Sequence, residues 1–224
     1  MVTAMEELHK MAKSNLQRKR RYFSRRVLHS ALVAYYYRHF GHVCRVLDLG
    51  CGLGCMGRLK PDSAIEVYGL DIDEEAVAKA SQYENAQVWN LESQRLPFDG
   101  EYFDAVLAKD ILEHLQAPWV LVTEIYRTLR PGGIVISNVI TAKPKRVWND
   151  YTHIRGFTSN ALQMLFEDSG FDVLHIHKMG GVPLTGKLHL VKWIPMLLRF
   201  PPLDLLFGAS LEIKARRPAE GGEE

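Results

Sequence analysis

From Arg45 onward, short apolar runs alternate with amphipathic stretches. The segments Arg45–Leu49, Ile65–Leu70, Gln87–Trp89, Ala105–Ala108 and Ile134–Asn138 read as strands, and Glu74–Ser81 and Trp119–Leu129 carry a helical period. Such alternation predicts parallel strands joined by right-handed helical crossovers. The expected fold class is therefore α/β, a doubly wound and mostly parallel sheet with its ligand at the carboxyl ends of the strands. Gly132-Gly133 after Pro131 fits a helix that stops before the next strand. Thr158-Ser159-Asn160 offers an N-cap to a helix carrying Leu162, Leu165 and Phe166.

The ends of the chain depart from this rhythm. Lys10, Lys13, Arg18, Lys19, Arg20, Arg21, Arg25 and Arg26 precede an apolar and aromatic stretch in which Leu28, Ala31, Leu32 and Tyr35 fall on one helical face. A basic helical cap over residues 1–42 is expected, followed by the main domain over 43–217 and a disordered tail over 218–224. An apolar insertion spans about residues 181–208, and within its run 189–207 Pro195, Pro201 and Pro202 exclude one long helix. Packing on the sheet, a flap over a substrate mouth, a homodimer contact and an interfacial segment at a membrane surface are all compatible with it.

Composition narrows the setting. A chain of 224 residues buries roughly 70% of its extended surface on folding and needs no disulfide framework. Its three cysteines, Cys44, Cys51 and Cys55, are odd in number, cluster around the first strand and lack zinc-ligand spacing. They read as small packing residues in a reducing cytosol, and no metal is expected. The N-terminus lacks the apolar core of a secretory signal. No stretch offers about eighteen consecutive apolar residues, so no membrane-spanning helix is predicted. A cytoplasmic protein is expected, with contact to a membrane surface as a variant. The net charge of +2 gives no argument for nucleic acid.

The candidate chemistry begins at Val46-Leu47-Asp48-Leu49-Gly50-Cys51-Gly52-Leu53-Gly54. Glycines in G-x-G-x-G order let the chain turn sharply out of a strand and approach a ligand where a β-carbon would collide. Asp71 then ends the next strand, where a carboxylate can accept both hydroxyl protons of a ribose. A nicotinamide-dinucleotide fingerprint would place its third glycine at Cys55, and this chain has Gly54 instead.

Together with Leu96-Pro97-Phe98, Tyr102-Phe103-Asp104 and Leu129-Arg130-Pro131-Gly132-Gly133, this turn resembles the motifs of class I S-adenosylmethionine-dependent methyltransferases of the type 11 group, over roughly residues 40 to 180. The resemblance implies a seven-stranded sheet closed by an antiparallel pair, here Val173–His177 and Leu211–Arg216. It implies S-adenosyl-L-methionine as cofactor. Asp48 would support the turn and the cofactor's ammonium side, and the backbone of Gly50, Cys51, Gly52 and Gly54 would lie under the methionine portion. Asp71 would hold the ribose, Ile72 would pack on adenine, and Asn90 with Leu91 would stand where the family usually reads the adenine amine with an acidic residue. Glu92 competes with Asn90 for that role in a slightly different register.

Lys109-Asp110-Ile111-Leu112-Glu113-His114-Leu115 resembles the family's segment ending in Glu-His, which places Asp110 at the cofactor's amino acid end or the substrate and makes His114 a candidate base. The Asp150-Tyr151-Thr152-His153-Ile154-Arg155-Gly156-Phe157-Thr158 run resembles a segment of a type 11 subgroup. Asp150 is close enough in sequence to orient His153 as a general base, and the alternative is that both lock the loop with Arg155 completing a salt link. The expected activity is methyl transfer to oxygen, nitrogen or carbon of a small-molecule or lipid-like acceptor. An RNA methyltransferase using the basic helix, and a cofactor-binding partner subunit without chemistry, are the competing readings.

Overall fold

A computed structural model describes residues 26–92, 95–179 and 210–219. The basic run up to Arg25, the apolar run 189–207 and the end of the tail from Glu220 lie outside the described residues. In chain order the elements are α1 (Arg26–Phe40), β1 (Arg45–Leu49), α2 (Cys55–Arg58), β2 (Glu66–Asp71), α3 (Glu74–Ala80), β3 (Asn85–Val88) and β4 (Phe103–Lys109). A 3-10 turn at Leu112–His114 follows, then α4 (Pro118–Thr128), β5 (Leu129–Ile140), α5 (Pro144–Val147), α6 (Ser159–Glu167), β6 (Asp172–Met179) and β7 (Ser210–Arg216).

The strands form a seven-stranded sheet in the order β3-β2-β1-β4-β5-β7-β6. β1, β2 and β3 pair in parallel, and β7 runs antiparallel to both β5 and β6. The doubly wound, mostly parallel class read from the sequence is the observed one. Among the described residues no helix is long and apolar enough to cross a membrane.

The chain divides into two compact units, one of residues up to Leu107 with Thr128–Arg130 and one of Ala108–Arg127 with Pro131 onward. In the first, Val46, Leu47 and Leu49 of β1 are fully buried, as expected for a parallel strand. Asp104 closes the start of β1: its Oδ2 accepts from the backbone N–H groups of Cys44 at 2.6 Å and Arg45 at 2.7 Å, and its Oδ1 pairs with Arg130 at 2.7 Å. Tyr102 and Phe103 join Tyr68 and Phe98 in edge-to-face and stacked contacts. The Tyr102-Phe103-Asp104 motif thus serves the fold. α3 starts at Asp73, whose side chain accepts from the N–H groups of Glu75 and Ala76.

Two local expectations change. α1 buries Val33, Tyr36, Tyr37 and Phe40, a face rotated from the one built on Ala31 and Leu32, because the large rings on the 33-36-37-40 stripe seek the interior. Tyr37 Oη donates to the Met56 carbonyl, tying α1 to α2. Cys44 is exposed rather than packed, whereas Cys51 is buried.

In the second unit, Gly132 and Gly133 lie inside β5 instead of between a helix and a strand. The Gly132 N–H donates to Arg217 O and the Arg217 N–H to Gly133 O, so pairing with the chain after β7 draws the glycines into the strand. α6 is capped as predicted, with Thr158 Oγ1 accepting from Ala161 N, and it buries Leu162 and Phe166.

Candidate functional site

The first unit builds its site from backbone. Gly50, Gly52 and Gly54 have φ values of 73°, 55° and 69°, left-handed conformations that favour glycine. Gly50 and Cys51 both donate to the Leu70 carbonyl, at 2.7 and 3.2 Å, which holds the turn against the end of β2. Gly54 owes its lack of a side chain to packing as well as to conformation. A Cβ there would meet the Cα of Ala80 in α3 at 2.9 Å, so close packing on α3 also demands a bare position.

Asp71 is the second anchor. Its Oδ2 accepts from Gly52 N at 2.9 Å and its Oδ1 from Asp73 N at 3.0 Å. Each carboxylate oxygen has a further lone pair, so the group is oriented by the chain and still able to accept from a vicinal diol. Asp48 is buried, and after burial itself its charge is the main reason the Tyr37 phenol and Cys51 thiol are pushed far above their ordinary ranges. Cys51 therefore packs as a neutral thiol, and only its backbone belongs to the turn.

At the ends of β2 and β3 the geometry is mixed. Ile72 and Leu91 are half-buried. Asn90 Oδ1 accepts from Glu92 N at 2.9 Å, which makes an Asx turn and leaves one lone pair on the amide oxygen. Trp89, which sequence reasoning passed over, is anchored by its N–H to Asp71 O at 2.8 Å, and its indole Nε1 is buried with no partner. A left-handed glycine turn bonded to a carboxylate with free lone pairs fits a nucleoside ligand.

The second unit builds its site from side chains. Asp110 is exposed, sits at φ 55°, donates its N–H to Asn138 O at 2.9 Å and pairs its carboxylate with Lys109 Nζ. His114 Nδ1 lies 3.1 Å from Thr152 O and His153 Nδ1 lies 3.0 Å from Val147 O, and the two rings stand 4.8 Å apart. A carbonyl only accepts, so each Nδ1 carries the proton and each neutral ring has its lone pair on Nε2.

The expected pairing of Asp150 with His153 is not what orients the imidazole. Asp150 Oδ1 is taken by Thr152 N at 3.0 Å and Thr152 Oγ1 at 2.7 Å, because the turn brings those donors closer than the ring. Burial pushes the Asp150 carboxyl up, but the Thr152 hydrogen bonds and the charges of His153 and His114 together bring it below its ordinary value. The Arg155 salt link of the alternative reading is likewise replaced: Nη2 donates to Gln116 O at 2.8 Å.

Glu113 was missed as a site residue. It is 2% exposed, and its Oε2 is buried with no hydrogen-bond partner. Burial, with help from Asp110, pushes its carboxyl up to about 8. The sequence signal was the Glu-His pair itself, which drew attention only to its second member.

The sheet order and the glycine turn define a class I methyltransferase domain. Residues 47–137 match the family described as a methyltransferase domain. The chain is 34% identical over 146 residues to a probable S-adenosylmethionine-dependent methyltransferase of Mycolicibacterium smegmatis, covering 61% of this chain and 56% of that protein. It is 29% identical over 107 residues to a ubiquinone biosynthesis O-methyltransferase of Pseudomonas fluorescens, covering 45% and 46%. The chain spans about half the length of the curated relatives it matches. In fold it is similar to a crystal structure of a SAM dependent methyltransferase from Archaeoglobus fulgidus, with a TM-score of 0.66, 22% identity, and coverage of 84% of this chain and 92% of that one.

Proposed function

We propose that the protein transfers a methyl group from S-adenosyl-L-methionine to a small-molecule or lipid-like acceptor. The observation that carries the cofactor assignment is the left-handed Gly50–Gly54 turn tied through Gly52 N to the carboxylate of Asp71. When bound, the cofactor supplies a methyl group already activated on a sulfonium, so the protein needs only to position, shield and move a proton.

The roles divide accordingly. Asp71 accepts from the ribose hydroxyls with the lone pairs its backbone donors leave. Gly50, Cys51 and Gly52 offer bare backbone to the methionine portion, and Gly54 seats α3 behind them. Asp48 stands for the cofactor's amino acid end and Ile72, Leu91 and Asn90 serve the adenine, while Asp110 stands on the substrate side. His153 presents its Nε2 lone pair to the acceptor's nucleophile, directly as a base or through a bound group. His114 shares that task, and Asp150 shapes the loop through its hydrogen bonds to Thr152.

An apolar acceptor is supported by what surrounds His153. Trp148 and Tyr151 are 68% and 57% exposed, and Ile154 is also exposed, a concentration of apolar surface on one short loop. The ubiquinone and malonyl-acyl-carrier relatives are described as methylating oxygen, and O-methylation of a hydroxyl or carboxyl attached to an apolar body is the reading that agrees with this loop. Calorimetric titration with S-adenosylhomocysteine tests the cofactor half without knowledge of the acceptor. Micromolar binding is expected, and none from a folded sample would overturn the assignment. A screen of quinone-like phenols, lipid hydroxyls and sugars tests the other half, with turnover expected on the first two.

A further inference from the structure

We infer that Glu113, His114 and His153 form a binding site for one divalent transition-metal cation, which rests on the acceptor-side reading of this cluster and deepens it. Each of the three offers one ligand atom, and these atoms all lie within 4.8 Å of one another. Two nitrogens and one carboxylate oxygen are the donor set that zinc, manganese, iron and cobalt accept from proteins. Three protein ligands leave coordination positions open, as in sites that bind a reactant.

The carboxylate makes the stronger case. Glu113 is almost fully enclosed, and while the backbone N–H groups of Glu113 and Ile140 act on its carboxyl, its Oε2 has no hydrogen-bond partner, an arrangement the interior tolerates poorly unless a proton or a cation fills it. The imidazoles are held in the way ligating histidines usually are. Both Nδ1–H groups are committed to backbone carbonyls, of Thr152 and Val147, which places the lone pairs on Nε2 and fixes the ring planes. Ligand atoms around a tetrahedral zinc lie about 3.4 Å apart, so the side chains close by roughly an ångström around the ion.

A second group of metal-ligand type, His175, His177 and Glu212, lies on β6 and β7. There the carboxylate is already occupied: Glu212 Oε2 accepts from Asn138 Nδ2 at 3.0 Å, and Oε1 lies 3.5 Å from His177 Nε2. Lys214 sits across from His175 in register, a cation where the ion would have to go. The orphan oxygen singles out the Glu113 cluster. An ion there gives the acceptor's oxygen a positive centre, so that a bound hydroxyl releases its proton to water near neutral pH.

The test uses the full chain stripped with chelator and titrated calorimetrically with Zn²⁺ alone, each sample also titrated with S-adenosylhomocysteine. One equivalent of Zn²⁺ is expected to bind, with affinity lowered about ten-fold or more in Glu113→Gln and in His153→Asn and unchanged in His177→Gln. A protein that binds S-adenosylhomocysteine but takes up no Zn²⁺ would overturn the inference, as would a loss of Zn²⁺ confined to His177→Gln. A Co²⁺ spectrum with thiolate bands would do so too, by assigning the ion to cysteine. Zn²⁺ binding with the expected variant pattern in a folded chain that ignores S-adenosylhomocysteine would uphold the metal site and overturn the cofactor reading instead.

Discussion

The glycine turn after β1 and the histidine loop after α5 solve their tasks in opposite ways. The turn uses five consecutive residues, three of them glycines with left-handed φ, and its one essential side chain, Asp71, is clamped by backbone N–H groups. The loop gathers side chains from segments far apart in sequence: Glu113 and His114 from a 3-10 turn, His153 from a loop, each ring steered by the carbonyl of another residue. A site made of backbone resists relaxation and tolerates few substitutions. One made of side chains is tuned by its neighbours, and chemistry there is easily lost without loss of fold.

Four perturbations sharpen that contrast. His153→Ala should lower turnover by about 100-fold or more, the range for losing a proton-handling group, while S-adenosylhomocysteine affinity and melting temperature stay near those of the parent. Normal turnover on an acceptor found by screening would return His153 to a structural role. Gly54→Ala should instead damage the fold, since the left-handed φ and the 2.9 Å approach to Ala80 Cα act together. A loss of about 2–4 kcal/mol in urea unfolding is expected, and an unchanged midpoint would mean the turn is more plastic than its geometry implies.

Asp71→Ala lies between these extremes. Loss of a charged acceptor should weaken S-adenosylhomocysteine binding by about 1.5–3 kcal/mol, with some loss of stability because Gly52 N and Asp73 N lose their partner. Equal affinity for parent and variant, read by calorimetry, would sink the ribose assignment. The remaining effect is a pH dependence set in the turn's own unit. Burial raises the Glu84 carboxyl from 4.5 to about 7, opposed by the N–H of Gly57, with Tyr37 and Cys51 close enough to feel its charge. A carboxyl raised in the folded state binds its proton more tightly there, so its stabilising contribution is complete below about pH 4.5 and lost as the pH rises through about 7. Melting temperature should fall across that window, and Glu84→Gln should flatten the fall. A parallel profile in the variant would assign the pH effect elsewhere.

Much of the fold was legible because its signals are local. β1 was read to the residue, α3 and α6 begin at the side chains that cap them, and the glycine turn announces its own conformation. Failures came wherever a distant segment decided the outcome. Gly132-Gly133 looks like a helix stop until Arg217 pairs with it, and Ala31 and Leu32 look like a buried face until the tyrosines of α1 find Met56 and the interior.

The same division runs through the site. Residue identity alone determined the glycine turn, the acidic end of β2 and the doubly wound class, since backbone conformation and hydrophobic period depend on near neighbours. Only the tertiary structure decided that Asp150 serves Thr152 instead of His153, that Trp89 buries an unpartnered N–H, and that Glu113 rather than Asp150 is the carboxylate grouped with both imidazoles. Hydrogen-bond partners are chosen by distance and burial in three dimensions. A spacing of three residues in sequence says that two groups can meet, and the competition of every other donor and acceptor nearby says whether they do.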